Sequence, residues 1–266
     1  MTFDLKAALG PVWRGEVYYA RREVQAVIPT TDPDGRTRDT RSEAEAKRWA
    51  GERADVLAWL PEKAIVYDLG CGDGKLKLAR PDLRVYGYDP DPTLQRLALT
   101  RGCVVTWSAA HAFSLEGATP LPCSDDENLP IADALWCCHV VEHMETPVDD
   151  LREALTLVRS GGTVVVETPD FGSPVALEWG DRFRLLHDPT HVSLFTAESL
   201  VRMLRDLGVE VQEVAWPGYF GTPLQERREE LWRPIDPYDV AMVKLKTDGV
   251  SPPAPGNVVA VRGKKL

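Results

Sequence analysis

One stretch constrains this chain more than any other. Ala64-Ile65-Val66-Tyr67-Asp68-Leu69-Gly70-Cys71-Gly72-Asp73-Gly74 runs from a short apolar, β-prone segment through an acid into three glycines at alternate positions. A buried parallel strand reads this way where it spills into a tight turn before a helix. Glycines there let the backbone take φ > 0 and leave room for a ligand against main-chain N–H groups. The spacing, Asp-x-Gly-x-Gly-x-Gly, differs from the G-x-G-x-x-G of a dinucleotide fold, whose third glycine packs helix on strand. The next strand candidate, 84–89, ends in a second acid, Asp89.

The rest of the chain continues the alternation. Strands are expected at 103–107, 132–138, 163–168, 209–214 and 257–262, with helices at 75–80, 91–101, 147–159 and 197–207 between them. That order predicts an α/β fold with a largely parallel sheet. A helix is also expected over 42–60, with Trp49, Arg53, Val56, Leu57 and Leu60 on one side, Ser42 and Glu45 as a capping box, and Pro61 as its end. Residues 1–40 are less regular, and Tyr18 and Tyr19 read either as part of a lid or as simple packing. A proline-rich insert at 216–256, carrying Trp232, reads as a lid over an acceptor pocket or as a dimer contact.

With 266 residues the chain can bury a full α/β core, as one domain with additions. Its net charge of −10 is uneven: residues 61–224 hold 13 basic against 25 acidic side chains. An acidic body repels phosphate backbones, so a long nucleic acid is a poor partner. The N-terminus lacks the order of a signal peptide, and no run of about 18 apolar residues exists. Five cysteines without a Cys-x-x-Cys suit a reducing compartment. A soluble cytoplasmic protein is expected, with no membrane partner.

Over residues 60–215 the chain resembles the class I S-adenosylmethionine (SAM) methyltransferases, and within them a branch acting on small molecules, quinones and glycans. The match rests on the 66–74 run, on Asp89, and on a Gly-Gly turn leading into a strand that ends Thr168-Pro169-Asp170. The resemblance implies a Rossmann-like doubly wound sheet of seven strands in order 3-2-1-4-5-7-6, the last antiparallel. It implies a segment 1–60 that caps a SAM-binding domain at 61–266. It also implies that Asp68, Gly70, Cys71, Gly72 and Gly74 line the methionine half of SAM, and that Asp89 takes the ribose. Ser108, just after the third strand, or Asp125, opening an Asp-x-x-x-Leu-Pro segment, would meet the adenine; both assignments stay open.

Four of the five histidines fall in two places. His139-x-x-Glu142-His143 leaves the fourth strand, and His187-x-x-x-His191 follows the fifth. Ligands of open parallel sheets bind at the carboxyl ends of the strands, so both groups should border the transferred methyl. Three readings compete. In the first, one of His139, His143, His187 and His191 orients or deprotonates an acceptor hydroxyl, as an imidazole with a near-neutral pKa can. In the second, His139, Glu142, His143 and His191 hold a divalent metal that lowers the hydroxyl pKa. The small-RNA 3′-terminal 2′-O-methyltransferases resemble this pattern, except that His139 stands where they carry a glutamate. In the third, His-x-x-Glu-His is the inverzincin zinc-peptidase motif, which needs a long helix.

The expected activity is methyl transfer to a small-molecule acceptor, most simply the hydroxyl of a sugar or natural product, by direct displacement. The protein then mainly aligns the reactants and excludes water. The competing functions are methylation of a nucleoside, an RNA 3′ end or a modified DNA base, and a SAM-binding regulatory pseudoenzyme. A homodimer is compatible with either.

Overall fold

A computed structural model describes residues 3–22, 43–105, 130–217 and 257–266. Seven strands form one sheet: β2 (Ile65–Leu69), β3 (Arg84–Tyr88), β4 (Val104–Val105), β5 (Ala132–Cys138), β6 (Val158–Pro169), β8 (Val209–Ala215) and β9 (Val258–Lys265). Their spatial order is β4-β3-β2-β5-β6-β9-β8. The first five run parallel, and β9 lies antiparallel between β6 and β8. This is the order and the single reversal expected from the resemblance.

Side chains alternate across the sheet as a strand requires. Tyr67, Leu69, Leu135 and Cys137 face one core layer together with Leu151 and Leu155 of α6 (Pro147–Thr156) and Leu200 and Met203 of α8 (Ala197–Asp206). Val66, Ala134 and Trp136 face the other, against Val56 and Leu57 of α3 (Ala54–Leu57), Leu76 of α4 (Lys75–Ala79) and Ala98 of α5 (Pro92–Thr100). Helix starts follow local chemistry. Asp91 caps α5 through its carboxylate, and Thr196 and Ser199 form a reciprocal capping box on α8.

A smaller cluster covers one end of the sheet. Leu5, Leu9 and Val12 of α1 (Leu5–Trp13) pack with Phe171, Phe183, Leu194 and the Val175 and Trp179 side chains of α7 (Pro174–Trp179). The two-residue strand β1 (Ala20–Arg21) pairs antiparallel with β7 (Ser193–Leu194) and ties this cap to the domain. Tyr19 packs at a tilt against Phe195, and the Tyr18 hydroxyl donates to Asp206 on α8, so both tyrosines pack within the fold.

Two local expectations need correction. The helix expected over 42–60 is broken: α2 (Glu43–Glu52) ends before Arg53, whose backbone leaves the helical region (φ −118°, ψ 15°) and starts α3. The strand expected at 163–168 begins earlier, at Val158, and the glycines at 161 and 162 lie within it. Ladder pairing with β5 at Ala132 extends it.

Candidate active site

At the first strand end, Gly70, Gly72 and Gly74 all have positive φ (72°, 52° and 81°), which a side chain would disfavour. The turn is fastened from the neighbouring strand: Cys71 N–H donates to Tyr88 O, and Gly72 N–H donates to Asp89 Oδ2 at 2.9 Å. Asp89 Oδ1 accepts from Asp91 N–H. Burial pushes the Asp89 carboxyl up to about 6, and burial beside Asp89 and Asp73 pushes Asp68 well above its usual value. The Cys71 side chain is buried, and its thiol is pushed up by burial and by Asp68. A Cβ built on Gly72 would meet nothing within 4 Å, whereas one on Gly70 would lie 2.3 Å from Val140 Cγ2. The loop therefore presents open space at Gly72, as a cradle for a methionine moiety needs, and touches the histidine turn at Gly70.

That turn leaves β5 with His139 in the left-handed region (φ 56°), uncommon for any residue but glycine. His139 N–H donates to Glu167 O on β6, and the turn brings the ring between two carboxylates that are 0% exposed. His139 Nδ1 lies 3.0 Å from Glu142 Oε1, and Nε2 lies 3.1 Å from Glu167 Oε1. Arg53 Nε donates to the same Glu167 oxygen at 2.8 Å, its second guanidinium nitrogen sits 3.0 Å from His139 Nε2, and Thr168 Oγ1 donates to Glu142 Oε2.

Beyond Glu142 stand two more imidazoles. His143, in the three-residue 3-10 turn Val141–His143, has Nδ1 at 3.1 Å from Thr190 O. His191 is buried, with Nδ1 at 2.6 Å from Leu185 O. Both Nδ1 atoms thus carry hydrogens donated to carbonyls, which leaves the Nε2 lone pairs as ligand or base positions. The two rings lie 4.8 Å apart edge to face, and Glu142, His143 and His191 each offer a donor atom within 4.8 Å of the others. The motif sits on a strand end and a single turn, not on the long helix a peptidase would require.

The electrostatics follow from burial opposed by pairing. Burial works against charge on His139, but hydrogen bonds to Glu142 and Glu167 raise it to about 9. Burial pushes both acids up, yet Glu142 is brought to about 2 mainly by His139, and Glu167 to about 2 by Arg53 and His139. Burial, reinforced by the neighbouring His143, lowers His191 to about 4, so that ring is neutral at ordinary pH. Cys138, His139 and Glu167 form a second group of potential ligands. Burial beside Glu167 keeps the Cys138 thiol protonated, and Arg53 already occupies Glu167, so this group does not fit an ion.

The structure thus brings together His139, Glu142, His143 and His191. His187 is placed elsewhere: its Nε2 donates to Asp181 O, and it lines a pocket of about 310 Å³ with Phe3, Arg22, Asp181 and Leu186. Ser108, Asp125 and the insert at 218–256 lie outside the described residues. Two members of the charge cluster were not singled out for the site from the sequence, Arg53 and Glu167. Each carried a signal: a cation on the apolar side of a helix, and an acid inside a valine-rich strand.

Comparison with known proteins agrees with the fold. Residues 41–214 match a family model described as a methyltransferase domain. A tRNA U34 carboxymethyltransferase of Shewanella loihica is 25% identical over 226 residues, which cover 81% of this chain and 66% of that protein. The chain thus spans just under two thirds of that relative's length. A ubiquinone biosynthesis O-methyltransferase of Burkholderia pseudomallei is 27% identical over 65% of this chain and 75% of that protein. Among solved structures, a SAM-dependent methyltransferase of Archaeoglobus fulgidus shares the fold, with a TM-score of 0.55, 18% identity, and coverage of 83% of this chain and 94% of that one. Among the described residues, no helix is long and apolar enough to cross a membrane.

Proposed function

The chain belongs to the class I SAM-dependent methyltransferases, and from that premise we propose that it methylates a hydroxyl of a small-molecule acceptor, a sugar or natural product, beside a divalent cation held by Glu142, His143 and His191. The observation that carries this reading is the trio itself. Two imidazoles with Nδ1 fixed to backbone carbonyls and a carboxylate fixed from behind by His139 and Thr168 converge beside the turn that meets the loop through Val140 and Gly70. Ligands oriented in this way by outer hydrogen bonds are the usual construction of a metal site.

SAM, when bound, supplies a methyl group on a sulfonium that is already a good leaving group. The chain's own residues then have three tasks. The loop at 70–74 and Asp89 receive the cofactor, Asp89 accepting from ribose hydroxyls. The Gly70–Val140 contact sets the loop against the histidine turn. Glu142, His143 and His191 would hold the cation, which would lower the pKa of a neighbouring acceptor hydroxyl.

Titrating S-adenosylhomocysteine (SAH) into chelator-treated full-length protein, with and without manganese, tests both halves. Micromolar SAH binding with separate manganese binding that His143→Ala and His191→Ala remove supports the reading. SAH binding without any manganese site would replace the cation reading by that of a histidine base. No SAH binding under any condition would remove the methyltransferase reading for this chain.

A nucleoside acceptor is the second reading, favoured by the tRNA-modifying relative. The acidic middle of the chain opposes a long polynucleotide, so a screen of nucleosides against sugars and phenols separates the two. A regulatory pseudoenzyme would bind SAH and methylate neither class.

A further inference from the structure

The buried charges behind the trio form a chain that starts outside it. Arg53, at the break between α2 and α3, is 6% exposed; Glu167 and Glu142 are 0% exposed. His139 sits between the two acids with one ring nitrogen on each. Two carboxylates removed from water need compensating cations or they do not remain ionised. Arg53 is the fixed cation on Glu167, and His139 lies between Glu167 and Glu142, within hydrogen-bond distance of both acids and of the guanidinium.

We propose that Arg53 is a positioning residue for the reaction centre: through Glu167 and then His139 it fixes where Glu142 holds its oxygen toward His143 and His191. This rests on the reading that the trio faces the acceptor. Four observations on geometry support it. The helix expected to run unbroken through 42–60 instead stops at Arg53, whose backbone departs from helical values where its guanidinium meets Glu167. His139 is held in left-handed backbone, a conformation that persists only where the surroundings over-determine it, here by its N–H on Glu167 O and its ring on both acids. Glu142 Oε2 is spent on Thr168, so Oε1, the oxygen His139 touches, is the one 4.0 Å from His143 Nε2. Trp49 stacks under the guanidinium, its ring centroid 5.2 Å from Arg53 Cζ. The α2–α3 segment, distant in sequence from every histidine, thereby becomes part of the site.

A positioning role makes a different prediction from a stabilising one. In Arg53→Met, which keeps length and removes charge, SAH affinity should stay within about twofold, since the loop and Asp89 are untouched. Manganese affinity should fall about tenfold or more, the range for losing an outer-shell partner. Arg53→Lys should recover most of it. In the metal-free protein, nitrogen spectra of ¹⁵N-histidine-labelled samples should show His143 and His191 with hydrogens on Nδ1 in the wild type. Both signals should move in Arg53→Met and return in Arg53→Lys. Unchanged His143 and His191 signals together with unchanged manganese affinity in a folded, SAH-binding Arg53→Met protein would overturn the proposal. If Arg53→Met does not fold, Glu167→Gln gives the same readouts with the side-chain shape kept. If the wild type binds no manganese, the cation reading fails and the histidine spectra decide the proposal alone.

Discussion

The two ends of the site are built on different principles. At the glycine loop, backbone does the work: three left-handed residues, the Gly72 N–H bonded to Asp89, and no side chain at Gly72, where a Cβ would meet open space. At the histidine end, side chains from four separate stretches converge: Arg53, the 139–143 turn, Glu167 with Thr168, and His191. The first can be altered one atom at a time. The second is a network in which each charge stays buried only because the next one is there.

The sharpest way to separate the two ends is Asp89→Ala. Loss of acceptor bonds worth about 1.5–3 kcal/mol each to a charged group should weaken SAH at least about 100-fold, and manganese binding should be unaffected. The reciprocal pair, His143→Ala and His191→Ala, should weaken manganese beyond the roughly 10–100-fold cost of an outer-shell loss while SAH affinity holds. If either variant disturbs both ligands equally, the two ends are one cooperative unit.

Glycine substitutions break the comparison differently. Gly70→Ala puts a Cβ 2.3 Å from Val140 Cγ2 in left-handed backbone, so it should lose about 2–4 kcal/mol of stability by denaturant unfolding. Gly72→Ala meets no neighbour and should cost about 1–2 kcal/mol, with its main effect on SAH affinity.

Cofactor affinity should also depend on pH through Asp89. Its carboxyl is held up at about 6 in the free protein, and ribose hydroxyls bind the ionised form. Protons therefore compete: below pH 6 the SAH dissociation constant should rise about tenfold per unit, and above it the profile should flatten. Asp89→Asn should be weak and flat throughout. The smallest effect belongs to the cap. Tyr18→Phe removes a hydrogen bond to Asp206 on the surface and should cost under about 1 kcal/mol in thermal or denaturant unfolding.

The loop and the sheet were legible because their signals are local. Alternating apolar residues and punctuating glycines state their own backbone conformation, and the strand order was the one implied by the resemblance those local signals carried. The histidines at 139 and 143 were legible for the same reason, being close in sequence and at the end of β5, whereas of the pair at 187 and 191 only His191 joins them. Their division of labour was not. From 139–143 alone, His139 and His143 look equivalent, yet one lies between two buried acids and the other lies beyond Glu142, facing His191. Arg53 read as one more residue on a helical face, because besides its neighbour Glu52 the buried acid it meets, Glu167, lies 114 residues away. His187 read with His191, although four residues of turn send it to a separate pocket.

By itself the sequence determined the alternation of strands and helices, the left-handed glycine turn after the first strand, and the acid at the end of the second. These depend on steric and hydrogen-bonding rules that act over a few residues. Only the tertiary structure decided which of the buried charges pair. Burial removes water as a partner, and a carboxylate at Glu167 or Glu142 then has to find its cation wherever the fold delivers one, in this chain 114 residues away for Glu167 and three for Glu142.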